Sequence, residues 1–549
     1  MAPASGRLDL KTPAARAGEP NILRSKVTPL PAFSDRLPSG DGAPEHVPVR
    51  IWIGFGALCL GMFMAVLDIQ VVATSLPTIR TALAIPADMM SWIQTAYLIA
   101  EVIAIPLTGL LTRALGMRVL FAIAVGAFTL ASIGCAASTG FASLVTARVA
   151  QGFFGGMLVP LVFSAVFLLF PFRLQGFATT IAGLLAVLAP TVGPVVGGWI
   201  TQTTSWHWLF LINVAPGILA CALGLALLAR EAADRALLRT LDVAGLALLA
   251  VCLASLQIGL KEAPQRGWLA APVLALLAAS ALAGAVFVRR MLVGTTPIIQ
   301  LRTFRDRGFA IGCALSFILG MGLYGTVYLM PVFLAFVRGH GPLAIGMVML
   351  VTGVTQFVTS PVAVALERRS DARLLTILGF ALFGVGLAMS AFSTRETDYD
   401  GMFWPQVVRG AAIMLCLLPP TRLALGALPP EAVPDASGLF NLMRNLGGAI
   451  GIALIDTVIF GRSPIHAEAL KQRLLAGDTA AAELVGLPAG ALHGAVTGPL
   501  DPAIEAYVRP LIEKAALVQS INDAWLMLAC CTFAGCALAL LAPARSGRG

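Results

Sequence analysis

Residues 51–73 read IWIGFGALCLGMFMAVLDIQVVA, an uninterrupted apolar run whose one ionisable residue is Asp68. An α-helix needs about 20 mostly apolar residues to cross the hydrocarbon core of a bilayer. This run is long enough, and a charged group inside a membrane is costly and therefore a candidate for function. The stretch predicts a membrane-spanning helix that carries a functional carboxyl group.

The rest of the chain has the same apolar character. Of its 549 residues, 58% are hydrophobic and 12% are charged, whereas ordinary globular domains have roughly 45–50% and about 25%. So few charges could not cover so apolar a core, which excludes a water-soluble enzyme, a disordered chain and a collagen-like fibre. The net charge of +9 lies mainly in loops and favours a lipid bilayer over nucleic acid as the partner. The nine cysteines lie in apolar runs, so we expect neither disulfides nor a metal site.

Further apolar runs bring the expected spans to fourteen and predict an all-α polytopic membrane protein. Their approximate bounds are 51–73, 89–111, 118–137, 142–170, 175–200, 207–229, 242–260, 268–288, 309–335, 342–366, 373–393, 402–428, 438–460 and 522–543. With a cytoplasmic N-terminus, the short outer loops hold few basic residues, namely Arg80, Lys261, Arg266, Arg338 and Arg395. Because cytoplasmic loops carry an excess of Lys and Arg, we expect both termini in the cytoplasm.

Hydrophilic segments and an internal repeat divide the chain. Residues 1–50 are expected to form a disordered cytosolic tail and residues 544–549 a short second one. Residues 461–521 are expected to form amphipathic helices that lie on the outer face, between the last two spans. One offset relates Pro106 and Arg118, around the end of the second span, to Pro361 and Arg373, around the end of the tenth. A parallel repeat of two six-helix bundles would produce it, with bundles at 51–229 and 309–543 and two additional spans in 230–308.

Three motifs lie in order on the expected spans. They are Leu67–Pro77 in the first, Leu144-x-x-x-Arg148-x-x-Gln151-Gly152 in the fourth, and Gly193-Pro194-Val195-Val196-Gly197-Gly198 in the fifth. In these motifs the chain resembles the major facilitator superfamily, specifically the fourteen-span drug:proton antiporters of the EmrB/QacA type. The resemblance covers residues 51–543 and implies the major-facilitator fold, two six-helix bundles plus two extra transmembrane helices.

Two shorter features carry the resemblance further. Gly109 and Gly116, followed by Arg118, keep the frame of the family's loop motif after the second span, but Arg113 stands where that motif usually has Asp. In the fifth span, proline removes a helical hydrogen bond and glycines let helices approach closely. A bent, tightly packed helix is therefore expected around Gly193, Pro194, Gly197 and Gly198, and the resemblance implies that this bend favours antiport.

Asp68, Glu101 and Arg148 are the candidate functional residues. At about 1.5 Å per residue, Asp68 and Arg148 lie at comparable depth and could pair. We expect Asp68 and Glu101 to line a central cavity and at least one of them to bind protons in exchange for cargo; a static Asp68–Arg148 pair is the alternative. Other polar residues expected in the cavity are Gln70, Thr74, Tyr97, Gln151 and Asn213. Arg444 is expected at the cytoplasmic end of its span and Asp456 near the outer surface, while the roles of Arg409 and Arg422 stay open.

The energy source follows from a missing motif. None of the lysines follows a glycine, so the chain has no nucleotide-binding P-loop. We expect no cofactor, and export of hydrophobic or amphipathic compounds such as drugs, driven by a proton gradient. The alternatives are a narrow exporter of a metabolite, siderophore or fatty acid, a nutrient symporter, or a polytopic membrane enzyme, which the short, Arg-dominated loops disfavour. The resemblance implies the bacterial inner membrane and, for some relatives, docking of a periplasmic adaptor and an outer-membrane channel, for which segment 461–521 is the candidate surface.

Overall fold

The computed structural model describes residues 47–85, 89–90, 92–230, 234, 236–239, 242–294, 298–487 and 502–542. The expected tail 1–50 lies almost entirely outside these residues, and so do 544–549 and the middle of segment 461–521. All regular elements of the described part are helices. In lipid a helix satisfies its own backbone hydrogen bonds, which an apolar chain of this length requires.

Six spans come before the extra pair. They are formed by α1 (Val49–Ala82), α2 (Trp92–Leu115), α3 (Met117–Ala136), α4 (Phe141–Leu169), α5 (Phe172–Thr203) and a sixth span divided into α6 (Trp208–Leu211) and α7 (Val214–Leu227). A short helix, α8 (Ala236–Arg239), precedes the extra pair α9 (Val243–Arg266) and α10 (Ala271–Val293).

Six further spans follow. Their helices are α11 (Arg307–Phe336), α12 (Pro342–Arg369), α13 (Ala372–Ser390), α14 (Tyr399–Leu425), α15 (Val433–Leu475) and α17 (Pro502–Leu540), with the short α16 (Thr479–Val485) before the last. Fourteen described helices are long and apolar enough to cross a membrane, which confirms the predicted number of spans. We name the side where α1 begins and α17 ends the terminal side, and the opposite side the cap side.

Several helices begin at an aspartate that caps the first turn. Asp306 Oδ1 accepts a hydrogen bond from Phe309 N at 2.7 Å, and Asp371 Oδ1 accepts one from Arg373 N at 2.8 Å. The first backbone N–H groups of a helix have no partner within it, and a carboxylate satisfies them. These aspartates therefore mark where the chain turns back into the membrane.

Segment 461–521 differs from its prediction as helices lying on the outer face. α15 has 43 residues, so at about 1.5 Å per residue it is about twice as long as the roughly 30 Å hydrocarbon core. The outer parts of α15 and α17 continue their spans, and with α16 they enclose a small apolar core around Leu470, Leu474, Val485 and Ala516. We call these outer parts and α16 the cap. Packing against each other buries apolar side chains that a helix lying on the surface would leave half exposed.

The two groups of six spans meet along two junctions. One joins α2 to α15 and the other joins α5 to α12. α9 packs on both α2 and α15 and so covers the first junction. At the second junction, a groove of about 500 Å³ is lined by side chains of both helices, of which Phe177 and Phe357 are exposed.

Candidate functional site

Asp68 is fully buried and accepts from three side chains, two of them on α4 and one directly before α7. Its Oδ2 lies 2.5 Å from Arg148 Nη1 of α4. Its Oδ1 accepts hydrogen bonds from Gln151 Nε2 at 2.9 Å and from Asn213 Nδ2, which precedes α7, at 2.8 Å. We call these four residues the Asp68 cluster. Paired and hydrogen-bonded in this way, a carboxylate can stay ionised inside the membrane.

Arg148 is held in place by more than its carboxylate. Its Nε donates to the Ile93 carbonyl oxygen at 3.2 Å, and its guanidinium lies 4.3 Å from the centre of the Tyr97 ring. Tyr97 in turn donates to the Ala65 carbonyl oxygen at 3.2 Å. α1, α2 and α4 are thus joined around one ion pair.

Two glycines of α4 allow this arrangement. A Cβ added at Gly152 would lie 2.8 Å from Tyr97 Cα, and one at Gly156 would lie 2.9 Å from Glu101 Cα. Real Cβ atoms do not approach a backbone so closely, so α2 and α4 can pack at this distance only with glycine at both positions. The Gly152 of the fourth-span motif therefore positions Tyr97, and Gly156 positions Glu101.

Glu101 faces a different environment, a central cavity between the two groups of six spans. The cavity has a volume of about 70 Å³, and its polar lining comprises Gln70, Glu101, Tyr324, Asn441, Arg444 and Asn445. Tyr324 donates to Asn445 Oδ1 at 2.7 Å, and Arg444 donates to Asn441 Oδ1. Glu101 has no ion pair or hydrogen bond with any described residue. A few polar groups in a mostly apolar lining are typical of sites that bind small molecules.

The predicted cavity residues therefore separate into two groups. Glu101 and Gln70 line the central cavity, as expected. Asp68, Arg148, Tyr97, Gln151 and Asn213 do not line it; they are buried in or against the Asp68 cluster. Asp68 was expected in the cavity wall because an ionisable group inside the membrane is a candidate for function, but the sequence does not give the face of the helix on which a side chain lies. Thr74 belongs to α1, and its side chain lies outside the described residues.

The fifth-span motif contributes close packing. A Cβ at Gly193 would overlap Gln70 Cβ of α1. Gly193, Pro194, Gly197 and Gly198 are all buried, and Pro190 and Pro194 both lie inside α5. The motif thus brings α5 against α1 directly beside Gln70, a cavity residue.

The loop motif contacts the second group of spans. Arg113 forms an ion pair with Asp435 in the first turn of α15. A Cβ at Gly109 would lie 2.6 Å from Asp435 Cα, and Gly116 has φ of 79°, a conformation that favours glycine. Arg118 is half-buried in the first turn of α3. The positive charge at 113, which departs from the family pattern, thus meets a negative charge at 435.

Several residues of the site were missed or misplaced by sequence reasoning. Arg444 was expected at the cytoplasmic end of its span, but α15 begins at Val433, so Arg444 lies three turns inside and faces the cavity. Tyr324, Asn441 and Asn445 were not singled out. The available signal was the pair of polar residues, Asn441 and Asn445, one turn apart in an otherwise apolar span. Arg422 pairs with Glu367 at 2.6 Å, and Asp456 accepts from Tyr328 at 2.6 Å.

Comparison with known proteins agrees with this architecture. A family profile described as Major Facilitator Superfamily matches residues 58–452. The chain is 35% identical over 483 residues to the colistin resistance protein EmrB of Acinetobacter baumannii, covering 88% of this chain and 94% of that protein. It is 31% identical over 412 residues to the multidrug export protein EmrB of Escherichia coli K12, covering 75% and 80%. It is 30% identical over 429 residues to the fatty acid resistance protein FarB of Neisseria gonorrhoeae, covering 78% and 84%.

Solved structures share the fold. The proton:xylose symporter XylE superposes with a TM-score of 0.54 at 14% sequence identity, covering 90% of this chain and 95% of that one. The human organic anion transporter MFSD10 gives a TM-score of 0.54 at 13% identity, covering 88% and 99%. At these identities the likeness concerns the path of the helices alone.

Proposed function

Since the chain belongs to the major facilitator superfamily, and is a multi-pass efflux transporter of the EmrB type rather than an enzyme, we propose that it exports amphipathic compounds in exchange for protons and that Glu101 carries the exchanged proton. The cargo would occupy the central cavity. The proton gradient would supply the energy, with no cofactor.

The observation that carries this proposal is the contrast between the two carboxyl groups of the first bundle. Asp68 is paired with Arg148 and accepts from Gln151 and Asn213, so protonating it would leave the buried Arg148 without its counter-charge. Glu101 lines the cavity and has no ionic partner among the described residues. An unpaired carboxylate inside a membrane is costly, and binding a proton removes that cost. Glu101 is therefore the better placed of the two to gain and lose a proton during transport.

Exchange follows if proton and cargo compete for the same group. A cationic or hydrogen-bond-donating cargo in the cavity would contact the Glu101 carboxylate oxygens, which a proton would otherwise occupy. Each ligand then weakens binding of the other, as linkage requires. Asp68 acts indirectly in this scheme, because its cluster joins α1, α2 and α4 and so holds the helix that carries Glu101.

Transport in proteoliposomes with an imposed pH difference tests the proposal. The probe is a fluorescent lipophilic cation, and the variants are Glu101→Gln and Asp68→Asn. Glu101→Gln should lower the rate of gradient-driven transport at least tenfold. It should retain cargo binding and cargo–cargo exchange, since neither process needs a proton. Asp68→Asn should lose transport together with thermal stability. Glu262→Gln is the control, because Glu262 pairs with Arg266 within α9, away from the cavity.

Three results would contradict the proposal. Gradient-driven transport that survives in Glu101→Gln would show that Glu101 does not carry the exchanged proton. A wild-type protein that moves one metabolite, siderophore or fatty acid, but none of a panel of unrelated lipophilic drugs, would favour the narrow exporter instead. Uptake of a nutrient down the proton gradient would favour the symporter.

For the location we propose the bacterial inner membrane, with the terminal side in the cytoplasm. The support is the concentration of Lys and Arg in the loops of that side. Reporter fusions at the C-terminus and in the cap test this orientation. If a reporter that works only in the periplasm is active when fused to the C-terminus, the proposed orientation is wrong.

The cap suggests a partner. We propose that it binds a periplasmic adaptor protein, which would pass cargo on to an outer-membrane channel. The support is a projecting helical structure with its own apolar core, anchored by Arg395 Nη1, which donates to the Val485 carbonyl oxygen at 2.9 Å. Trimming residues 466–518 and joining α15 to α17 by a short linker should abolish co-purification with the adaptor while leaving transport in proteoliposomes intact. Co-purification that persists after trimming would contradict this role.

A further inference from the structure

The second bundle contains a buried arginine that the proposed proton exchange does not use. Arg409 of α14 is 1% exposed. No described carboxylate pairs with it. Its Nη1 donates to Ser390 Oγ at 3.3 Å, its Nη2 lies 3.3 Å from Met330 Sδ, and its guanidinium is 5.0 Å from the Trp525 ring centre. These contacts are neutral, and its Nε has no hydrogen-bond partner in the described part of the chain.

A guanidinium in this position lowers the stability of the fold. Burying a charge without a counter-charge is strongly unfavourable, and a well-packed apolar side chain of similar volume would serve packing better. The surroundings nevertheless make room for it, since a Cβ at Gly386 would lie 2.6 Å from Arg409 Cγ. A charge retained under these conditions indicates a ligand of opposite charge.

Arg409 faces a cavity that offers a second donor. The cavity is small, about 30 Å³, and is lined by Arg409, Gln406, Thr352 and apolar side chains such as Met330, Phe383 and Ile413. Gln406 is fully buried; its Oε1 accepts from Thr352 Oγ1 at 3.1 Å, and its Nε2 has no partner among the described residues. Arg409 Nε and Gln406 Nε2 are thus two unused donors, one of them charged, beside the same space. A charged and a neutral N–H donor together suit a carboxylate.

This cavity adjoins the central cavity. Pro190, Leu323, Val327 and Ile413 line both. A ligand with its anionic head at Arg409 could therefore extend an apolar tail past these side chains towards Glu101. An inorganic anion would have no use for the apolar lining, whereas an amphipathic acid would use both parts.

We propose that Arg409 and Gln406 form an anion subsite that binds the carboxylate of amphipathic acids, so that the cargo range includes long-chain carboxylates. The inference rests on the proposed function, since it assigns part of the cargo site. It adds a second polar anchor, in the second bundle, for compounds that Glu101 would repel.

Equilibrium binding to the full-length protein in nanodiscs tests the proposal without a proton gradient. The probes share one chain length: laurate is the acid, dodecanol the neutral analogue and dodecyltrimethylammonium the cation. Wild type should bind laurate at least tenfold more tightly than dodecanol. Arg409→Gln should lower laurate affinity at least tenfold, to that of dodecanol, and leave the cation unaffected. Arg409→Lys should retain part of the preference, because it keeps the charge.

The matched control is Arg422→Gln, which removes an arginine of the same helix that already pairs with Glu367. It should leave laurate binding unchanged. Thermal unfolding checks the fold: Arg409→Met, close in volume and uncharged, should melt at or above the wild-type temperature if the guanidinium serves a ligand rather than packing.

The proposal is overturned if Arg409→Gln binds laurate as wild type does, or if wild type binds laurate no better than dodecanol. Chloride that stabilises wild type but not Arg409→Gln, without any laurate binding, would assign the subsite to an inorganic anion and also overturn it. Failure of the proton-coupling proposal is separate, since it concerns Glu101 and gradient-driven transport.

Discussion

The guanidinium of Arg113, in the last turn of α2, forms an ion pair with the carboxylate of Asp435, in the first turn of α15. Asp435 is buried and Arg113 is about one-fifth exposed. The pair joins the two bundles on the terminal side, next to the hydrogen bond from Ser437 Oγ to the Pro160 carbonyl oxygen at 2.9 Å. An access path to the central cavity from that side can open only if these contacts separate.

Arg113→Asp should therefore impair transport strongly, because two carboxylates would face each other between the bundles. The double variant Arg113→Asp with Asp435→Arg should restore a substantial part of the rate. The single change should also lower stability, by up to about 3 kcal/mol, since it leaves Asp435 buried without its partner. Transport rate and thermal unfolding of the single and double variants form a double-mutant cycle.

Arg290→Gln is the control for this cycle. It removes the Arg290–Asp242 ion pair on the same side of the molecule, which joins α10 to the start of α9 and lies outside both bundles. Its effect should be confined to stability. Additive losses in the double variant, with no rescue, would show that the Arg113–Asp435 pair does not couple the bundles.

Gly152→Ala should destabilise the first bundle by about 1–3 kcal/mol. The new Cβ would lie 2.8 Å from Tyr97 Cα, and a backbone cannot move aside as a side-chain end can. Transport should fall with it, since Tyr97 packs on Arg148. Gly134→Ala is the comparison, because its Cβ would meet Ala147 Cβ at an ordinary 3.6 Å. Equal melting temperatures for the two variants would contradict the close-packing argument.

Asn213→Ala should weaken the Asp68 cluster. It removes the 2.8 Å hydrogen bond to Asp68 Oδ1, and a hydrogen bond to a charged group contributes about 1.5–3 kcal/mol. Asn522→Ala, which loses a 2.8 Å bond to the uncharged Ser393 carbonyl, should cost less. Thermal unfolding measures both; a larger loss for Asn522→Ala would indicate that Asp68 does not depend on Asn213.

Asp398 predicts a pH dependence of stability on the cap side. It caps α14 and accepts hydrogen bonds from Arg338 Nη2 and His340 Nε2, both at 2.9 Å. Burial raises the pKa of Asp398, but the bonds from His340 and Arg338 outweigh burial and hold the pKa below its ordinary value. A carboxyl group with a lowered pKa stabilises the fold above its ordinary pKa of about 3.9, and the contribution is lost as the pH falls through the lowered value.

The difference in melting temperature between wild type and Asp398→Asn should therefore be constant near neutral pH and shrink below about pH 4. Asp400→Asn, an exposed neighbour in the same first turn, should show little change with pH. A difference that persists undiminished in acid would mean that the charge of Asp398 does not stabilise the fold.

The spans were predictable because lipid imposes one requirement on every helix, an apolar length that can be counted along the chain. The cap was not, because whether helices beyond a membrane lie flat or continue depends on partners distant in sequence. α15 runs on to Leu475 because Leu470 and Leu474 pack against α16 and α17.

The candidate site likewise contains some features that the sequence predicted and others that it did not. Pairing of Asp68 with Arg148 followed from depth, but its donors Gln151 and Asn213 were expected in the cavity, because sequence does not say which face of a tilted helix meets its neighbour. Arg409 stood out as a charge in an apolar span. Its lack of a carboxylate partner could appear only once α11, α13 and α17 were placed around it.

The additional helices α9 and α10 make the molecule's two flanks unequal. Trp268, between them, donates to Thr457 Oγ1 of α15 at 3.0 Å. α9 covers the junction between α2 and α15. Among the described residues, no additional helix covers the junction between α5 and α12. The Phe177–Phe357 groove is therefore exposed on the flank without additional helices, and the two flanks offer unlike surfaces to the surrounding lipid.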